Sequence, residues 1–187
     1  MQDKTWIFID DTLSLIEDSD EDDNKETQND NIVRFIFEEE GKWLYVHKQI
    51  LTSKLALFKT MFSGGMLESQ TNKIDVFDIS YAPYKAFIEY LYTGQIESLD
   101  SNNLIELLEL SNRYCVEKLR SLIEDKLVVN LGPDTVKDIL EVAHHFRLNS
   151  LKHEWWRYIK DNQKEVARYG VYKLLDKEDQ EMIKSLE

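Results

Sequence analysis

Residues 45–69 read Tyr-Val-His-Lys-Gln-Ile-Leu-Thr-Ser-Lys-Leu-Ala-Leu-Phe-Lys-Thr-Met-Phe-Ser-Gly-Gly-Met-Leu-Glu-Ser. From Lys48 onward the apolar residues fall into two stripes at helical spacing. Leu51, Leu55, Phe58 and Phe62 make one, and Ile50, Leu57 and Met61 make another, about 100° round the helix. The spacing predicts one helix with two apolar faces. A small domain's core covers one such face, so the other needs either more of the same domain or a second chain. Ser63-Gly64-Gly65 ends the helix, because glycine reaches the left-handed conformation that a C-cap requires. Met66-Leu67-Glu68 then falls on a short, exposed connection.

Upstream, Ile32-Val33-Arg34-Phe35-Ile36-Phe37 is rich in β-branched and aromatic residues, and Trp43-Leu44-Tyr45-Val46 follows after Glu38 to Lys42. The pair reads as a β-hairpin. Downstream, Ile74, Val76, Phe77 and Ile79 mark a third strand from Lys73 to Ile79, whose return to the hairpin crosses the helix. A helix from Tyr84 to Tyr92 carries Phe87, Ile88, Leu91 and Tyr92; Pro83 suits its first turn and Thr93-Gly94 its end. Residues 95–99 read as a last short strand. Asp100-Ser101 caps a helix containing Leu104, Ile105, Leu107, Leu108 and Leu110, and a further helix carries Val116, Leu119, Leu122, Ile123 and Leu127. Gly132-Pro133 breaks the chain and sets a domain boundary. Beyond it, Val136, Ile139, Leu140, Ala143 and Phe146 share one helical face, and Leu151, Trp155, Tyr158 and Ile159 share another, which predicts an antiparallel helical pair. Residues 163–187 add one or two short helices.

Residues 1–16 hold the apolar run Trp6-Ile7-Phe8-Ile9 and then Leu13, Leu15 and Ile16. They pack on the domain, face a partner chain, or end an upstream module. Glu17 to Asn31 contains no apolar residue to offset the entropy of ordering it, and reads as a disordered acidic linker. The division is therefore residues 1–29 as an N-terminal segment with linker, 30–132 as the main domain and 133–187 as a helical extension.

The 187 residues carry 36 carboxylates against 23 Lys and Arg, a net charge of −13, which opposes nucleic acid and anionic membranes as partners. The single Cys115 rules out an internal disulfide framework and fits a reducing compartment. No apolar run approaches the roughly 18 residues of a membrane span, and no signal peptide precedes the first elements, so an intracellular protein is expected. Four Trp, nine Tyr and eight Phe supply a sizeable core.

In their order and spacing, Val46-His47-Lys48 with Ile50-Leu51, the Phe58–Phe62 pair, Tyr90-Leu91-Tyr92-Thr93-Gly94, Leu108 with Leu110-Ser111 before Tyr114, and Asp134 to Ala143 resemble the BTB (POZ) domain followed by a shortened BACK-type helical segment. The resemblance covers roughly residues 30–165 and is nearest to speckle-type POZ and RCC1-like BTB adaptors. It implies an α+β fold, a small sheet with a cluster of helices, followed by an all-helical BACK-like extension. It implies a homodimeric substrate adaptor of a cullin-3 RING ubiquitin ligase, and as the alternative an oligomerisation scaffold that does not bind a cullin.

Adaptors of this kind carry a hydrophobic-x-Glu motif after the first long helix, where this chain has Met66-Leu67-Glu68. The resemblance thus assigns Met66, Leu67 and Glu68 to the cullin-3 N-terminal domain, and the helices of residues 134–160 a supporting contact. It assigns Leu13, Leu15, Ile16, Ile50, Leu57 and Met61 to the homodimer interface. The acidic linker departs from the nearest relatives, which puts a swapped N-terminal contact in question. Lys54 stands where the family often has Arg, and no acidic residue opens the first strand, so a corepressor groove is not supported. No MATH domain, Kelch blades or RCC1 repeats are present to hold a client. Either the chain is a fragment, or its terminal segments recruit the client, or the client binds the BTB surface.

His144, His145 and His153 lie on helices, with the adjacent pair pointing about 100° apart, which does not suit one metal on one face. Cys115 reads as a buried residue at a helical turn and His47 as a hydrogen-bonding group at the strand-to-helix corner. No phosphate loop, nucleophile elbow or metal motif is found, so neither a cofactor nor catalysis by the chain itself is expected.

Overall fold

The computed structural model describes residues 5–6, 30–173 and 175–185. Internal packing divides the chain into two compact units, Met1–Ser98 and Leu99–Glu187.

In the first unit, β1 (Thr5–Trp6), β2 (Ile32–Phe37) and β3 (Lys42–His47) are followed by α1 (Lys48–Lys54), α2 (Ala56–Ser63), α3 (Leu67–Thr71), β4 (Lys73–Asp75) and α4 (Tyr81–Thr93). The sheet order is β1-β3-β2-β4. β2 and β3 form the expected hairpin, antiparallel from Ile32↔His47 to Phe37↔Lys42. A single 3-10 turn, Glu38–Glu40, and Gly41 at φ +62° join them. β4 runs parallel to β2 with Arg34↔Lys73, a geometry that requires the crossover formed by α1 to α3. β1 lies parallel to β3 with Thr5↔Leu44, so the start of the N-terminal apolar run joins the sheet edge. Leu13, Leu15, Ile16 and the acidic linker up to residue 29 lie outside the described residues.

Strand alternation sets the core. Val33, Phe35 and Phe37 of β2 and Leu44 and Val46 of β3 are buried on one face, against Leu51, Leu55, Phe58 and the α4 residues Tyr84, Phe87, Ile88 and Leu91. Phe35 meets Tyr84 at 5.0 Å between ring centres and Phe58 edge-on at 5.9 Å, and Phe37 meets Tyr81 and Tyr84 edge-on. Such pairs add about 0.5–1.5 kcal/mol each beyond their buried area.

The first long helix is two. Leu55 adopts φ −125°, ψ 113°, between α1 and α2. Its N–H still donates to the Leu51 carbonyl and its carbonyl accepts from Lys59 N–H, so the break sacrifices little hydrogen bonding and lets Leu51, Leu55 and Phe58 all reach the core. The third strand is shorter than its apolar pattern, and residues 95–99 form no strand. α4 ends where expected, at Gly94 with φ +73°.

Ser80 makes no side-chain cap for α4; instead Glu40 Oε1 accepts the Tyr81 N–H at 2.6 Å while Oε2 binds Lys42 Nζ at 2.9 Å. Burial pushes the Glu40 carboxyl up, but the Lys42 hydrogen bond, the Tyr81 amide and the Lys42 charge together hold it below its usual 4.5. A carboxyl depressed by folding stabilises above its unfolded pKa and loses that contribution as pH falls through the folded value. Glu40→Gln is therefore expected to flatten the acid limb of thermal unfolding followed between pH 6 and about pH 3. An unchanged limb would show that the carboxylate contributes nothing as a cap.

The second unit holds α5 (Ser101–Arg113), α6 (Glu117–Val129), α7 (Val136–His145), α8 (Asn149–Asp161), α9 (Gln163–Val166) and α10 (Lys177–Ser185). Asp100 caps α5 as expected, its Oδ1 accepting Asn103 N–H at 2.9 Å. The apolar faces read from the sequence close on one another: Leu104, Leu107, Leu108 and Leu110 of α5, Leu119, Ile123 and Leu127 of α6, Val136, Ile139, Leu140 and Ala143 of α7, and Leu151, Trp155 and Ile159 of α8 are all buried. α6 packs on α8 as well as on α5, which joins it to the helices beyond Gly132-Pro133 in one compact unit.

Candidate partner-binding surface

The loop after α2 is shaped by its glycines and then fastened down. Gly65 sits at φ +69° and Met66 is extended, with its carbonyl accepting Ser69 N–H at 3.0 Å and Ser69 Oγ at 2.6 Å. The short α3 ends at Asn72, left-handed at φ +53°, a conformation that Asn tolerates better than most residues. Asn72 then ties the helix down. Its carbonyl accepts Arg34 N–H of β2 at 2.8 Å, and its Oδ1 accepts Lys48 Nζ of α1 at 2.7 Å. The same ammonium lies 4.7 Å from the Phe62 ring centre.

On this support Met66 is 49% exposed and Leu67 71%, while Glu68 is half-buried in the first turn of α3. Among the described residues the Glu68 carboxylate has no hydrogen-bond or ion-pair partner. A flexible thioether, a branched aliphatic side chain and an unpaired carboxylate on a fixed turn offer adaptable apolar area beside a charged acceptor.

Of the two stripes, Leu51, Leu55 and Phe58 face the core, and Phe62 is half-buried and stacked on Phe58. The other stripe lies at the surface: Leu57 is 52% exposed, and Ile50 and Met61 are partly covered.

His47 performs the corner role. Its backbone N–H donates to Tyr92 Oη at 3.0 Å, and its Nδ1 lies 2.8 Å from the same oxygen. Both bonds converge on the one hydroxyl and pin the end of α4 to the β3–α1 corner. Burial pushes the Tyr92 phenol up, against the hydrogen bond from His47. Lys54 donates to the Leu91 carbonyl at the same helix end.

Two features went unread in the sequence. Phe77, counted in the third strand, stands 69% exposed beyond the end of β4. Asp179 is fully buried, its Oδ1 accepting Trp156 Nε1 at 2.9 Å and facing His144 Nε2 at 3.3 Å, and its Oδ2 accepting Asp176 N–H. Asp176 Oδ1 accepts Asp179 N–H in return, so the D-x-x-D spacing before α10 was the available signal, a capping box. The ligand atoms of His144, Asp176 and Asp179 lie within 4.8 Å of one another, but those hydrogen bonds already use the carboxylates to seat α10 on α8. Cys115 is exposed rather than buried, held at φ +56° in the α5–α6 turn. His145 and His153 are exposed.

The family model of the BTB/POZ domain matches residues 24–131. This chain belongs to the BTB/POZ family. A BTB/POZ domain-containing protein of Arabidopsis thaliana is 31% identical over 137 residues, covering 73% of this chain and 56% of that protein. The chain thus matches little more than half of that relative's length. Among solved structures, the BTB domain of human Gigaxonin aligns with a TM-score of 0.42 at 19% identity, covering 51% of this chain and 76% of that one. The α+β expectation holds: a small sheet with helices in the BTB fold, then a C-terminal helical extension. BTB domains are protein–protein interaction modules that generally self-associate and bind other proteins, and they are typically not enzymes. Among the described residues no helix is long and apolar enough to cross a membrane.

Proposed function

We propose that this BTB protein works inside the cell as a homodimeric substrate adaptor of a cullin-3 RING ubiquitin ligase. Met66, Leu67 and Glu68 would receive the cullin N-terminal domain, and Ile50, Leu57 and Met61, with Leu13, Leu15 and Ile16, the second copy. Residues 133–187 would serve as a partial BACK-like extension. The observation that carries the reading is Leu67 at 71% exposure beside Met66 at 49%, on a helix turn tied to both sheet and α1. Two adjacent exposed apolar side chains on an anchored turn offer a partner adaptable apolar area at a fixed place. The partly uncovered stripe of Ile50, Leu57 and Met61 supports self-association.

Calorimetric titration with the cullin-3 N-terminal domain tests it. The wild type is expected to bind, and Met66→Asp and Glu68→Lys each to weaken binding at least about 30-fold, the scale of losing a central contact worth ~2 kcal/mol. Both substitutions lie on exposed or half-exposed positions, so thermal unfolding stays unchanged. Absence of binding by the wild type leaves the oligomerisation scaffold, which keeps the dimer and ignores the cullin. Undiminished binding in both variants removes these three residues from the interface.

A further inference from the structure

The backbone carbonyls from Gly65 to Glu68 all accept hydrogen bonds from α3 and its cap. Gln70 Nε2 donates to the Gly65 carbonyl at 3.2 Å, Ser69 N–H and Oγ to that of Met66, Thr71 Oγ1 to that of Leu67 at 3.0 Å and Asn72 N–H to that of Glu68 at 2.9 Å. These bonds commit the backbone to the turn, and what faces a partner is the side chains of Met66, Leu67 and Glu68. Their placement depends on what orients α3, because five residues are too few to hold a helix alone in water.

Asn72 and Lys48 supply that hold. At φ +53° Asn72 ends α3, and its carbonyl accepts Arg34 N–H of β2 at 2.8 Å. These backbone bonds survive in any residue that tolerates the left-handed conformation. The bond from Lys48 Nζ to Asn72 Oδ1 at 2.7 Å depends on the two side chains alone. The same ammonium lies 4.7 Å from the ring centre of Phe62, which stacks on the buried Phe58. Lys48 thus grips the chain at Phe62, before Met66, and at Asn72, after Glu68, so both flanks of the turn are tied to one point on α1.

We propose that Lys48 and Asn72 are positioning residues for the docking turn, an inference that rests on the adaptor reading of Met66, Leu67 and Glu68. They act without touching the cullin. Holding both flanks raises the fraction of chains that present the three side chains together, and apparent affinity scales with that fraction.

Surface plasmon resonance of the full chain over immobilised cullin-3 N-terminal domain tests this. Asn72→Gly removes Oδ1 and keeps the left-handed backbone, which glycine adopts without strain. Association is expected to slow about fivefold while dissociation stays within about twofold of wild type, because fewer chains are competent at encounter but the formed complex keeps its contacts. Lys48→Met leaves the apolar stem on Phe62 and gives the same loss, and combining the two substitutions costs nothing further. Asn72→Asp associates as wild type does, since Asp tolerates the left-handed conformation and its carboxylate accepts from the ammonium. In the free chain, hydrogen exchange of the Ser69 amide is expected to be at least about fivefold faster in Asn72→Gly and unchanged in Asn72→Asp.

The proposal is overturned by Asn72→Gly associating as wild type does, by Asn72→Asp failing as glycine does, or by unaltered Ser69 exchange in Asn72→Gly. It is equally overturned if the loss lies in dissociation, since the side chain then touches the partner. A wild type that does not bind defeats the adaptor reading and the docking role together, whereas variants that all bind as wild type does defeat the positioning role alone.

Discussion

Trp155→Ala is expected to destabilise the second unit by about 4 kcal/mol, the middle of the range for emptying an aromatic site in a packed core. Trp155 is fully enclosed, and its Nε1 donates to the Val136 carbonyl at 2.6 Å, joining the middle of α8 to the first residue of α7. Alanine removes both the packing and the donor. Trp155→Phe separates the two, because it keeps an aromatic ring in the site and removes the N–H. Its cost is expected to be about 1–2 kcal/mol, a buried hydrogen bond plus a small cavity. Urea unfolding followed by far-UV circular dichroism measures both, with m unchanged if only the folded state is affected. Equal losses in the two variants would mean that the hydrogen bond, not the packed volume, holds α7 on α8. A loss below about 1 kcal/mol for alanine would mean that the site collapses around the gap.

The sequence displayed those helices because their signals are local. Asp100 before α5 and Gly94 after α4 act through their own backbone conformation or that of the adjoining turn, and the hairpin follows from alternation within six residues on each strand. The break at Leu55 had no such signal: leucine is a good helix former, and helical hydrogen bonds continue on both sides of it. Two other helix ends were equally silent. Cys115 and Arg147 occupy left-handed positions that glycine usually fills, and the bonds Val116 N–H to Ser111 carbonyl and Leu148 N–H to Ala143 carbonyl close the same cap at both. Without glycine to mark that turn, Cys115 looked like a buried helical residue.

The end of β4 was visible but misread. Val76 and Phe77 are adjacent apolar residues, which period-two alternation forbids on one face, and that phase slip is where the strand stops and Phe77 swings outward. The candidate site was legible in its position, since Gly64-Gly65 marks the end of α2. Its rigidity was not, because the anchoring bonds from Arg34 and Lys48 to Asn72 join residues far apart in sequence.

Leu57→Asp is expected to dissociate the proposed homodimer, raising its dissociation constant at least about 100-fold, while the protomer stays folded. The protomer does not depend on this side chain: Leu57 is 52% exposed, and exposed positions of this kind shift stability by within about 0.5 kcal/mol. The interface does depend on it, because Leu57 lies between Ile50 and Met61 on the outward stripe of α1 and α2, and a carboxylate placed under a second copy loses its water without gaining a partner. Phe58→Ala is the informative contrast, since Phe58 is buried against Phe35 and its loss acts on the fold before the assembly. Light-scattering mass across a dilution series, with thermal unfolding of each variant, separates the two effects. A wild type that is monomeric at every concentration would remove the dimer from the proposal, and a Leu57→Asp protein that remains dimeric would move the interface off this stripe. The same variant also divides the two halves of the function. Leu57→Asp monomers that still bind the cullin-3 N-terminal domain, chain for chain, would place docking on the Met66–Glu68 turn alone, with dimerisation adding only a second copy of the site.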